Sequence, residues 1–174
     1  MFARVSSLIL LCLMSMNLMA MPTMKAGPEV EKKVLTGPAP KPATESDKKI
    51  ATASAQKWLE YADTRSWERA WAASSDFYRN EMPVSHMGNL MYQHRKPFGA
   101  LKDRKVKNVT YKYLKEGTLP GEYLIVAFDS EFENQKVVEV VVTYKEKDNL
   151  WRASGYMTDD GKGKPKSVES TKVH

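Results

Sequence analysis

The sequence predicts an α+β fold, with three N-terminal helices packed on one face of a four-stranded antiparallel meander. Three observations carry this. Apolar residues recur at helical spacing from about residue 47 to residue 97. They alternate with polar residues from about 104 to 157. Turn signals at Pro120-Gly121, Glu133-Asn-Gln-Lys136 and Asp148-Asn149 leave only short links between the alternating segments, which pairs neighbouring strands antiparallel. Runs of helices beside runs of strands build α+β domains with the helices on one sheet face.

The chain starts with a different pattern. Residues 1–20 carry one charge, Arg4, then the apolar run Leu8 to Leu13, and end on the small residue Ala20. A basic start, an apolar centre and a small-residue exit describe a secretory signal peptide cut after Ala20, so the expected location is periplasmic or secreted. Leu18 is a poor fit three residues before that cut, which leaves a cut after Ala26 as the alternative. An uncleaved anchor is the other alternative, although Val5 to Pro22 barely reaches the roughly 20 apolar residues of a spanning helix. If the segment is cleaved, contact with the membrane is transient. Cys12, the only cysteine, follows Leu11 and sits inside the apolar run, a poor context for lipid attachment. Its removal would leave no intrachain disulfide and no thiolate metal ligand.

Residues 21–46 hold Pro22, Pro28, Pro38, Pro40 and Pro42 with Gly27 and Gly37 and few apolar residues. They read as an extended, disordered linker. Residues 47–157 form the domain, near the commonest domain size. Residues 158–174, rich in lysine, read as a disordered tail.

The first helix is capped by Ser46 or Thr44 and repeats Ile50, Ser54, Trp58 and Ala62 with Leu59 beside them, ending near Thr64. Ser66 caps a shorter helix with Trp67, Ala70 and Trp71 inward. Ser85 caps a third with Met87, Leu90 and Met91 inward, and Pro97 stops it. The first strand, 104–114, turns Val109, Tyr111 and Tyr113 to one face. The second, 122–133, aligns Leu124, Val126, Phe128 and Phe132. The third, 137–147, has Val138, Val140, Val142 and Tyr144 in step, expected toward the interior. The fourth, 151–157, places Trp151, Ala153 and Gly155 on one side.

Four pieces carry a family resemblance: Trp58-Leu59 with Asp63 and Trp71; His94-Arg-Lys-Pro-Phe-Gly-Ala-Leu-Lys-Asp-Arg104; Pro120-Gly-Glu-Tyr123 with Phe128 and Phe132; and Trp151-Arg-Ala-Ser-Gly-Tyr156. Together they resemble the exported bacterial family of unknown function DUF4019, over about residues 50–157. The region Ser85-His-Met-Gly-Asn-Leu90 departs from the family's usual aromatic after the third helix cap. The resemblance implies export and a compact α+β domain, a cone similar to NTF2-like or cystatin-like proteins. It implies no activity.

Candidate binding residues lie in the basic stretch 95–115. Arg95, Lys96 and Arg104 stand there with Tyr111 and Tyr113, and Asp103 is the only acid. Basic charge with interleaved rings suits a polyanion, and an exported location favours an envelope polymer or lipid over nucleic acid. Against this, the next strand carries Glu122, Asp129, Glu131 and Glu133, which would face the lysines across an antiparallel ladder. Arg95 and Arg104 have the geometry to clamp a carboxylate or phosphate. The plainer role of their segment is architectural: Pro97 stops a helix, Gly99 turns the chain, and an arginine pairs with Asp63 or Asp103.

Trp58, Trp71, Tyr123, Trp151, Gly155 and Tyr156 read as structural. His86 and His94 would sit about 80° apart on a helix, too far round to share a metal. No HExxH, CxxC, Gly-x-Ser-x-Gly or phosphate-loop spacing occurs, so no catalytic residue, metal ligand or cofactor is assigned. The expected function is a non-enzymatic exported module that binds an envelope protein or small ligand. The alternatives are a small NTF2-like pocket enzyme and adhesion to an anionic polymer.

Overall fold

The computed structural model describes residues 32–160 and, for the backbone, 166–167. The expected signal peptide, its cleavage site, Cys12, the first part of the linker and most of the tail lie outside the described residues.

Four helices and one main sheet make the domain. In chain order the elements are β1 (Lys33–Val34), α1 (Glu45–Asp63), α2 (Trp67–Ala72), α3 (Asp76–Glu81), α4 (Val84–Arg95), a 3-10 turn (Lys96–Phe98), β2 (Leu101–Leu114), β3 (Glu116–Gly117), β4 (Gly121–Phe132), β5 (Lys136–Lys145), β6 (Trp151–Asp159) and β7 (Lys166–Ser167). The sheet runs β2-β4-β5-β6-β7, all antiparallel, and β1 pairs separately with β3. The predicted meander of four long strands is present, with helices on its inner face.

Several expectations need correction. A fourth helix, α3, is not among those expected: it is six residues long and buries only Tyr78, so no apolar repeat marks it. Ser75 caps it, its Oγ accepting from the Tyr78 N–H at 3.1 Å. Of the two caps proposed for α1, Thr44 serves: it accepts from the Asp47 N–H (3.1 Å), while the Asp47 carboxylate accepts from the Thr44 N–H (2.9 Å). The helix therefore starts two residues inside the expected linker. Its buried face is Ala51, Ala55, Trp58, Leu59 and Ala62, and Ile50 is about half exposed. Neither flank is wholly unstructured, because Lys33–Val34 pairs with β3 and Lys166–Ser167 with β6. Thr158, expected to open the tail, is buried within β6.

The largest correction concerns strand phase. On β4, Leu124, Val126, Phe128 and Phe132 do face the core. Opposed residues of an antiparallel pair share a face, and these oppose Thr143, Val141 and Glu139 on β5. Val138, Val140, Val142 and Tyr144 therefore point away from the helices. Three register shifts interrupt the other pairings, the first between Leu101 and Asp103. The second, between Val106 and Asn108, lets Arg104 and Val109 both face inward. The third, at Ser154, turns Tyr156 inward and Gly155 outward.

The core joins Trp58, Leu59, Met87, Met91, Val126, Phe128, Val141 and Tyr156. Trp58 donates Nε1–H to Ser74 Oγ (3.0 Å), Trp71 to the Met82 carbonyl (2.7 Å), and Trp151 to Asp47 (3.2 Å). Buried indoles thus keep a polar partner. Trp67, from α2, packs closely on α4 at Gly88: a Cβ built there would lie 2.9 Å from Trp67 Cδ1. Gly88→Ala should therefore reverse the usual helix gain of about 1 kcal/mol for Gly→Ala. The clash is with the base of the indole, and overpacking should leave a net loss of about 1–2 kcal/mol. Urea unfolding with an unchanged m-value checks it.

Candidate functional site

Asp63 is the last residue of α1 and Arg95 the last of α4. A carboxylate at a helix C-terminus opposes the helix dipole and needs a cation, whereas an arginine there is favoured. Both ends converge on the inner face of the sheet. There Arg104 projects from β2 and Glu139 from the middle of β5.

The four form a closed network. Arg104 Nη1 and Nη2 donate to the two Asp63 oxygens at 2.7 and 3.0 Å. Its Nε donates to Glu139 Oε2 at 2.8 Å, and Nη2 lies 2.6 Å from the same oxygen. Arg95 spans the other side, with Nη2 on Asp63 and Nη1 on Glu139. Ser130 Oγ–H and Tyr156 O–H donate to Glu139, each at 2.6 Å, and Arg95 Nη1 also donates to the Tyr156 oxygen at 2.8 Å. The Glu139 side chain is 0% exposed, Arg95 9%, Arg104 10% and Asp63 19%. Two carboxylates and two guanidiniums sum to zero.

Burial alone would push the Glu139 carboxyl up. Arg95 and Arg104, helped by Ser130 and Tyr156, outweigh it and hold the group below its ordinary 4.5. Burial likewise works against the Arg95 charge, and Tyr156, Glu139 and Asp63 more than offset it. Tyr156, buried beside Glu139, is raised well above its ordinary value and keeps its proton.

Asp63 and Arg95 form the floor of a cleft of about 610 Å³. Trp67, Tyr92, Leu101 and Phe132 supply its apolar wall, and Arg65, Lys96 and Glu133 its rim. Arg65 has a left-handed backbone (φ 55°) just past the end of α1, and its guanidinium lies 5.0 Å from the Tyr92 ring centre. Lys96 Nζ lies 5.8 Å from the same ring. Among the described residues neither cation has a carboxylate partner. Other hollows, of about 450 and 310 Å³, lie at the acidic end of the sheet and beside His94, and neither is lined by the four ions.

The basic stretch divides accordingly. Arg95 and Arg104 turn inward, Arg95 at the floor of the cleft and Lys96 at its rim. Lys105 binds Asp103 (3.0 Å) and Lys107 binds Asp129 across the ladder (2.9 Å). Tyr111 donates to Glu122 at 3.0 Å; burial and that carboxylate push it up to about 12. Tyr113 is half-buried on the same strand. Pro97 lies in the 3-10 turn, and Gly99 (φ 79°) packs where a Cβ would meet Glu133 at 2.9 Å. Tyr123 donates to the Leu119 carbonyl and packs on Tyr144, ring centres 5.2 Å apart. His94 lies between Phe98 and Tyr156 with Nε2 2.8 Å from Thr158 Oγ1. Among the described residues no group of three or more His, Cys, Asp or Glu is placed to hold a metal ion, and no helix is long and apolar enough to cross a membrane.

Glu139 is the residue sequence reasoning missed. Its signal was a lone acid inside Val137-Val-Glu-Val-Val-Val142. A charge in the middle of a sheet strand is buried and paired or it faces water, and the pairing with Phe128 decides for burial.

Helices on one face of an antiparallel sheet, with a neutral ionic network beneath a cleft, define a small α+β domain. The chain matches the family described as protein of unknown function (DUF4019) over residues 54–156, and it belongs to that family. No curated protein and no solved structure matches it.

Glu139→Gln would leave two buried guanidiniums facing one carboxylate and should cost about 3–5 kcal/mol. Because the folded carboxyl is depressed, its stabilisation is complete above the unfolded value near 4.5 and fades as pH falls below it. Denaturant midpoints from pH 7 to 3 should therefore fall less steeply for Glu139→Gln than for the parent.

Proposed function

We propose that the chain is an exported, non-enzymatic binding module that takes an anionic segment of an envelope protein, or a small anionic ligand, in the cleft between the ends of α1 and α4 and the rim of the sheet. The carrying observation is how charge is divided. The buried carboxylates and arginines neutralise one another, and the cations with capacity to spare, Arg65 and Lys96, flank Tyr92 at the cleft. A general base needs a reachable lone pair and a pKa near working pH. Glu139 has neither: it is enclosed, depressed and already accepting from four side chains. A concave apolar wall with a few convergent charges is how small-ligand sites are commonly built. Export rests on the pattern of residues 1–20 and on the resemblance to an exported family.

The reading is tested by NMR titration of the chain lacking residues 1–20 with an octaglutamate peptide, and with octalysine as control. Octaglutamate should shift amides of residues 62–67, 92–101 and 132–133, and Arg65→Glu/Lys96→Glu should weaken that binding at least roughly tenfold. Preference for octalysine, or shifts confined to another face, would refute it. Cell fractionation with mass analysis of the mature N-terminus tests export separately, the expected form beginning at Met21.

A further inference from the structure

The face of the sheet turned away from the helices is apolar where a solvated face should be polar. Strand register stacks Ala127, Val140 and Met157 in one row across β4, β5 and β6, and Ile125, Val142 and Gly155 in the next. Tyr123 and Tyr144 close one side of this patch. Ile125, Val138, Val140, Val142 and Met157 are half-buried, and none belongs to the interior clusters.

The ends of the patch differ in charge. In the row of Val138 and beyond it lie Asp103, Asp129, Glu131, Asp159 and Asp160, with Lys105, Lys107 and Lys136 each bound to one of them and Asp159 and Asp160 in contacts of their own. Lys112 and Arg152 flank Tyr123 and Tyr144 in the same row, Arg152 being bound to Asp148.

We infer that this face packs against the same face of a second copy of the chain, about a two-fold axis lying in the interface and running across the strands. That operation exchanges the two rows. Met157 of one copy then lies over Gly155 of the other, where the missing side chain leaves room; a Cβ there would stand 3.6 Å from Val142 Cβ. It also brings the acidic end of each copy to the basic end of its partner, with Asp159 facing the partner's Arg152. The alternative axis, along the strands, would set acid against acid. Closed two-fold contacts are the commonest oligomer geometry. Four strands about 4.8 Å apart and the four rows that this axis pairs, about 6.8 Å apart, offer about 500 Å² of face. With side-chain walls added, that approaches the roughly 800 Å² per partner of a standard interface. Aligned sheets pack in this way. The contact leaves the cleft open and does not depend on what fills it.

Sedimentation equilibrium of the chain as recovered from cells tests this. A dimer is expected at about 100 µM, and Val140→Lys should weaken it roughly a hundredfold or more while its unfolding midpoint stays that of the dissociated parent. Asp159→Arg and Arg152→Asp should each weaken the dimer, and the two together should restore it. A monomeric parent, with this face bare or covered by residues 1–31 or 161–174, overturns the inference. So does a Val140→Lys chain that still dimerises like the parent.

Discussion

Four side chains from four different elements, Asp63, Arg95, Arg104 and Glu139, meet inside this domain, and their mutual neutralisation is the constraint on which the rest depends. The Glu139 carboxylate has no water to turn to. Isolated there it would either force a very large desolvation cost or take up a proton. Two guanidiniums, a serine and a tyrosine satisfy it instead. The same guanidiniums hold Asp63 at a helix end where the dipole disfavours it. Each ion is tolerated because the others are present.

Such a network is weak evidence for high stability, since a well-packed apolar cluster of the same volume is often as good or better. Its physical consequence is placement. Arg95 fixes where α4 ends relative to α1, and Arg104 fixes the phase of the first long strand. The chain between them is held by hydrogen bonds to the turn after β4: Asn134 N–H donates to the Phe98 carbonyl (3.0 Å) and Ala100 N–H to Glu133 Oε2 (3.0 Å). Together these hold the cleft open with Tyr92 and its two cations along the wall. Residues deep in the domain thus set the shape of a surface that a partner would meet.

The fold was largely legible and the network was not, for one reason. Helical spacing and turn chemistry are local, so α1, α2, α4, the meander and the inward faces of α4 and β4 could be read directly. Strand phase is local only while alternation is unbroken. Simple alternation through Val109 and Tyr111 puts Arg104 outside, and alternation through Trp151 and Ala153 puts Tyr156 outside. One bulge in each strand reverses both. In β5 the more apolar parity, Val138 to Tyr144, suggested the core, and the register with β4 assigned the core to Glu139 and Val141. A pairing of Arg95 or Arg104 with Asp63 was readable as an architectural option, but not the second carboxylate that completes it.

The most direct test is a double-mutant cycle on Arg95→Met and Glu139→Gln, read by denaturant unfolding at pH 7. The double variant leaves Asp63 and Arg104 as a neutral pair, whereas each single variant strands a charge. The two losses should fall short of additivity by at least about 2 kcal/mol. Losses that add to within about 0.5 kcal/mol would mean the two residues act independently, and the account of a single neutral unit would be wrong.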